Sequence, residues 1–90
     1  MSHTVLYFAT KMQEVFDDNM LAGKRGWYRL TPKECLKRLR QETKELTRAI
    51  EQNKNKEEVA SECADVANFA MFIYHNYEQA TEQAISDAEK

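Results

Sequence analysis

The sequence predicts an all-α fold, an antiparallel bundle of three main helices per chain completed by oligomerisation. Three observations carry that prediction. Two glycines and one proline in 90 residues are too few for the turns of a sandwich or barrel. Apolar residues recur at three- and four-residue steps, the period of a helix with one buried face. The connections between the periodic segments are short, which sets neighbouring helices antiparallel. With 31% charged and 42% hydrophobic residues, the composition is that of a folded chain rather than a disordered one. Residues 1–90 make one domain at the small end of the usual range, with a thin core of its own.

The first helix is predicted over residues 4–21, where Val5, Phe8, Ala9, Met12, Val15, Phe16 and Met20 keep helical spacing. Gly23 stops it, and "AGKRGWYRLTP" reads as a loop bounded by two glycines and a proline. The second helix is predicted over residues 32–51. Thr31 is its N-cap, Pro32 its first residue and Glu34 its third, a capping-box pattern. Leu36, Leu39, Thr43, Leu46 and Ile50 are its expected inward stripe, and "EQNKNK" is the turn that follows. The third helix is predicted over residues 56–77. The tail 78–90, with only Ala80, Ala84 and Ile85 as weak apolar points, reads as either helical or frayed.

The third helix is apolar on almost every side. At about 100° per residue, Val59, Cys63, Val66, Ala70, Ile73 and Tyr77 share one side, while Phe69 and Phe72 occupy another. Met71 and Ala67 carry the apolar surface further round. A helix of this kind is buried nearly all round, and two sister helices cannot cover it. A homodimer or a dimer-of-dimers tetramer is therefore expected.

Charge and cysteine usage narrow the classes. A net charge of −2 offers no general attraction to a nucleic acid polymer or an anionic membrane. The apolar run from Val66 to Tyr74 falls well short of the roughly 20 residues that span a bilayer, and the N-terminus lacks the pattern of a secretory signal. Cys35 and Cys63 are not in a CxxC arrangement and read as reduced thiols in a cytoplasmic protein.

The chemistry lies in the acids. "QETKEL" sets Glu42 and Glu45 at i, i+3, and "ECAD" does the same for Glu62 and Asp65. Each pair shares a helix face, and antiparallel packing through a short turn can join the pairs into four oxygen donors. Acid pairs are commonly only a solvated face, and Glu14 and Asp17 have the same spacing. Position separates the cases: Glu42 flanks the apolar stripe of its helix, and Glu62 and Asp65 share a side with Phe69 and Phe72. Acids lining an interior surface repel one another unless a cation or an unusual proton neutralises them. Hard oxygen ligands suit Mg²⁺, with Mn²⁺ as a substitute. The Glu-x-x-His pairs of a di-iron bundle are absent, since Phe72 stands three residues before His75 and His3 opens the chain. Clustered Cys and His ligands for zinc are absent too.

ExxE, a spacer of sixteen residues and ExxD resemble the signature of the MazG-like all-α nucleoside triphosphate pyrophosphohydrolases. The likeness extends from "KRGWYRLTPKECLKRLRQETKELTRAI" to "EVASECADVANFAMFI", about residues 8 to 75, and is with the short proteins of this kind common in phages and mobile elements. It implies Mg²⁺-dependent hydrolysis of a (d)NTP to the monophosphate and pyrophosphate, water attacking the α-phosphorus. It implies Glu42, Glu45, Glu62 and Asp65 as catalytic metal ligands, with one of them or Glu58 orienting the water as general base. Lys24, Trp27 and Asn68 are the implied substrate-binding residues. Each has a plainer reading: Lys24 and Arg25 as a solvated loop, Trp27 as a core residue, Asn68 as a structural hydrogen-bonder. Lys37, Arg38 and Arg40 read as the outer face of the second helix. The chain is shorter than the larger members, and no fourth long helix is evident after Tyr77. A site that needs one takes it from residues 78–88 or from a neighbouring subunit. The alternatives in function are a non-catalytic helical dimerisation or adaptor module and a nucleotide-binding sensor.

Overall fold

The computed structural model describes residues 3–89, with side chains described through Gln79. Three helices, α1 (Thr4–Leu21), α2 (Pro32–Glu51) and α3 (Lys56–Glu89), are joined by a loop holding a single 3₁₀ turn, Trp27–Arg29, and by a tight turn. Among the described residues there is no strand. None of the helices is long and apolar enough to cross a membrane. α3 continues to Glu89, and the side chains of Ala80, Ala84 and Ile85 lie outside those described.

Local chemistry ends and starts these helices. At the close of α1, Gly23 takes φ +85, and the N–H groups of Gly23 and Lys24 bond the carbonyls of Met20 and Asn19 at 3.1 and 2.9 Å. This is a Schellman cap, which needs a left-handed residue. The end of α2 repeats it with a non-glycine: Asn53 at φ +54, with Asn53 and Lys54 bonding back to Ile50 and Ala49. α2 opens on the full capping box. Thr31 accepts from the Glu34 N–H at 3.1 Å, and the Glu34 carboxylate accepts from the Thr31 N–H at 3.3 Å. Asn55 caps α3: its Oδ1 accepts from the Glu58 N–H at 2.9 Å, and its side-chain Nδ2 donates to the Glu58 carboxylate at 3.1 Å.

α3 is the centre of the molecule. α2 packs along one side of it and α1 along another, with no close approach between the backbones of α1 and α2. The inward stripe of α2 is Cys35, Leu39, Glu42, Leu46 and Ala49, of which Cys35 and Ala49 are buried. This corrects the stripe expected from the sequence: Leu36 is 40% and Ile50 59% exposed, and Thr43 faces solvent. The physical reason is close approach. Small side chains at Cys35 and Ala49, opposite a helix whose own Ala64 is fully buried, let the two helices pack closely, and bulky aliphatics are displaced outward. The correction puts a carboxylate, Glu42, in the middle of the buried face.

On α3 the most buried positions are Ala64, Asn68, Phe72 and Asn76, one helical step apart. Val59, Cys63, Val66 and Ile73 are half-buried, while Ala70, Tyr74 and Tyr77 are exposed. Both cysteines are free thiols. α1 buries no residue completely. It is held by Phe16 against Phe72 at a centroid distance of 6.2 Å, by Asn68 Nδ2 donating to Met12 O at 3.2 Å, and by Lys11 paired with Glu57 at 3.3 Å.

Candidate active site

The turn between α2 and α3 sets the register that brings their acids together. Oxygens of Glu42, Glu62 and Asp65 lie within 4.8 Å of one another, all three residues being half-buried. Glu45, one turn along α2, is exposed and outside this trio, but it lines the same cleft. Burial pushes the Glu42 carboxyl up from 4.5 to about 7, with further increments from Asp65, Glu45 and Glu62. Glu62 is raised by burial and then by Asp65, Glu45 and Glu58. Asp65 is raised by burial, against a pull in the other direction from the Asn19 side chain and Lys24.

Desolvated carboxylates this close are mutually destabilising when ionised. Lys24, delivered by the Schellman cap of α1, relieves Asp65 alone. Glu62 Oε2 is buried with no hydrogen-bond partner, a costly state for a carboxylate oxygen. Three converging carboxylates, one with an unpartnered oxygen, fit a hard divalent cation, which takes oxygen donors and repays their repulsion. Glu58, the other suggested base, accepts from the Asn55 side chain through Oε1 at the cap of α3, and its charge is near enough to raise Glu62.

With Glu62 behind them, Glu42 and Asp65 of the trio line a cleft of about 550 Å³ between α1 and α2, within the size range of small-molecule sites. Its floor is α3, contributing Asp65, Asn68, Phe69 and Phe72; α2 supplies one wall, and the end of α1 with the loop supplies the other. Lys24, Trp27 and Asn68 all line it. Lys24 is exposed. Trp27 stacks on Phe72 at 4.5 Å and 17° and meets His75 edge-on at 5.1 Å, so one face of its indole is already taken. Asn68 is 4% exposed. Its Nδ2 is bonded to Met12 O, which leaves Oδ1 buried and unpartnered, an acceptor without a donor. Structural bond and free acceptor thus coexist in one amide.

Three residues of the site went unread in the sequence. Arg38 lines the cleft instead of the outer face, its guanidinium 5.3 Å from the Phe69 ring centroid. Its position four residues before Glu42 was the available signal, since i, i+4 neighbours share a face. Asn19 sits beside Asp65 from α1, and only the helix crossing reveals it. Asn76, 7% exposed, donates from Nδ2 to both Trp27 O and Leu30 O at 2.9 Å. It ties the loop to α3, and nothing in its local sequence marks that role.

The family model described as phosphoribosyl-ATP pyrophosphohydrolase (PRA-PH) matches residues 9–89. The chain belongs to the PRA-PH family. That family is a member of the MazG-like all-α NTP pyrophosphatase superfamily, so the likeness seen in the acid motifs lies within the right superfamily. No curated protein and no solved structure matches the chain. PRA-PH membership makes the chain a pyrophosphohydrolase of nucleotide phosphoanhydrides, a family that is typically metal-dependent. The acid cluster and the cationic and aromatic side chains around it suit that chemistry, in which catalysis is mainly charge neutralisation and alignment.

Proposed function

We propose that this chain, in the short form its sequence resembles, is a Mg²⁺-dependent nucleoside triphosphate pyrophosphohydrolase. It converts a canonical or modified (d)NTP and water to the (d)NMP and pyrophosphate by attack at the α-phosphorus. The observation that carries the reading is the convergence of Glu42, Glu62 and Asp65 within 4.8 Å, with Glu62 Oε2 unpartnered and with Glu42 and Asp65 lining the cleft. Those three residues would hold the cation. When bound, Mg²⁺, or Mn²⁺ in its place, supplies positive charge to the phosphate oxygens and makes nearby water more acidic.

The remaining work belongs to the chain. Glu45, exposed beside the trio, either completes the donor set or orients the attacking water and accepts its proton. Lys24 neutralises phosphate charge from the loop wall. Asn68 Oδ1 accepts a hydrogen bond from a donor on the nucleotide, and the aromatic floor excludes water from that end of the cleft. Phosphoribosyl-ATP is the second substrate reading, favoured by the description of the matched family; the bond cleaved is of the same kind. Exposed Val5, Leu6 and Tyr7 on α1 and Tyr74 and Tyr77 on α3 support association into a homodimer or tetramer, measurable by light scattering at micromolar concentration. A cytoplasmic location accords with the two free thiols.

The test is pyrophosphate release with Mg²⁺ or Mn²⁺ over a panel of (d)NTPs, modified nucleotides and phosphoribosyl-ATP. Turnover that requires the cation supports the proposal and names the substrate. Binding without turnover identifies a nucleotide sensor instead. A folded protein with neither, whose melting temperature ignores Mn²⁺, is an adaptor module, and the proposal then fails.

A further inference from the structure

Arg38 raises a question that the acid cluster does not answer. It stands one helical turn before Glu42, on the same face of α2, yet among the described residues it forms no ion pair with any carboxylate. The causes that raise Glu42, Glu62 and Asp65 are burial and other acids, and Arg38 relieves none of them. Its guanidinium instead lies 5.3 Å over the Phe69 ring. Phe69 is one turn beyond Asp65 on the antiparallel α3, so Arg38 and Phe69 lie at the same level, one step from the acids toward the loop. Both line the cleft. Lys24 faces them from the opposite wall.

A cation–π contact takes up none of an arginine's N–H donors, which leaves the donor edge of the guanidinium for another acceptor. That edge matches the paired oxygens of a phosphate, to which arginine bonds in bidentate fashion. We propose that Arg38 is a phosphate-binding residue of this cleft. It holds a phosphate of the nucleotide from the α2 wall, beside the acid cluster, while Phe69 fixes its orientation. The inference rests on the pyrophosphohydrolase reading for the identity of the phosphate, and on the geometry alone for the anion. It divides the cleft: the acids hold positive charge, and Arg38 with Lys24 holds negative charge from opposite sides.

The test compares wild type with Arg38→Ala, Arg38→Lys and Phe69→Leu by calorimetric titration with inorganic pyrophosphate in the presence of Mg²⁺. A parallel titration with Mn²⁺ alone, without any anion, reads the acid cluster separately. Arg38→Ala is expected to weaken pyrophosphate binding roughly 10- to 100-fold, the usual range for a charge-assisted hydrogen bond. Arg38→Lys recovers part of the loss, Phe69→Leu loses a few-fold (about 2- to 5-fold, the scale of one cation–π contact), and Mn²⁺ binding stays at the wild-type value in all three. Arg38 is exposed, so Arg38→Ala keeps the packed face of α2 intact, and its melting temperature checks this. Wild-type affinity for pyrophosphate in Arg38→Ala overturns the inference, as does an equal loss of Mn²⁺ binding, which would place Arg38 in the support of the acids. Absence of turnover on the nucleotide panel would instead overturn the enzymatic reading, and the pyrophosphate titration would still decide the role of Arg38.

Discussion

The two halves of the cleft are built differently. On one side α2 meets α3 through small, buried residues, with Cys35, Ala49 and Ala64 at the contact, and this side carries the acid trio. On the other, α1 and the loop bury nothing completely except by way of α3: Phe72 packs against Phe16 and Trp27, while Asn68 and Asn76 bond main-chain carbonyls. Close helix packing fixes carboxylates that must converge within a few ångströms. Hydrogen bonds from two amides and an aromatic stack hold the other wall. On the proposed reading the chemistry falls on the closely packed half and recognition on the other, as is common where loops carry binding residues on a fixed scaffold.

The largest expected effect breaks the closely packed half. Glu42→Gln or Asp65→Asn should lower cation-dependent turnover on the order of 10²-fold or more. Each should also abolish the rise in melting temperature that Mn²⁺ gives the wild type, a rise worth about 2.7 kcal/mol at a hundred times the dissociation constant. Without metal, these variants should melt no lower than wild type, since each removes a desolvated charge from a repulsive cluster. A fall in metal-free stability as large as that of a core truncation would show that the trio is structural.

On the other half, Phe72→Ala should cost about 3–5 kcal/mol by removing the ring on which Trp27 and Phe16 rest, measured by chemical denaturation. Asn76→Ala should cost less, about 1–3 kcal/mol, for leaving Trp27 O and Leu30 O without their donor. Because Trp27 is the single tryptophan, its emission should shift in Asn76→Ala while Mn²⁺ binding is unchanged. If both variants weakened Mn²⁺ binding as strongly as Glu42→Gln, the two halves would not be separable.

The smallest effect is in pH. Glu42 titrates at about 7 in the folded chain against an ordinary 4.5, so the folded state keeps its proton where the unfolded state has lost it. The stabilisation this gives is fully present below about 4.5 and is lost as pH rises through about 7. The metal-free protein should therefore melt at a higher temperature at pH 5.5 than at pH 8. Cation binding needs the acids ionised, so Mn²⁺ affinity should rise across the same interval. A metal-free melting temperature that climbs from pH 5.5 to pH 8 would contradict the burial of Glu42.

The helical class, the capping box at Thr31 and the acids as candidates could all be read from local spacing. These follow from interactions within a few residues, which the sequence displays directly. The face of α2 could not. Bulky Leu36 and Ile50 suggested an inward stripe that close packing at Cys35 and Ala49 rejects, and with that rotation Glu42 moved from the flank to the centre of the buried side. Arg38 followed it into the cleft. Asn76 and Asn19 meet their partners across 46 to 49 residues in the one case and across a helix crossing in the other, separations that no periodicity records.

What the sequence by itself determined is therefore the set of helices, the ends of the first two and the start of the third, and the chemical types available: paired acids, loop cations, a third helix apolar on almost every side. Only the tertiary structure decided which acids converge, that one carboxylate oxygen and one amide oxygen are buried without partners, and that an arginine lies over Phe69. Local order is set by hydrogen bonds and periodicity along the chain. Convergence is set by how closely two helices can approach, and that depends on the small residues of both at once.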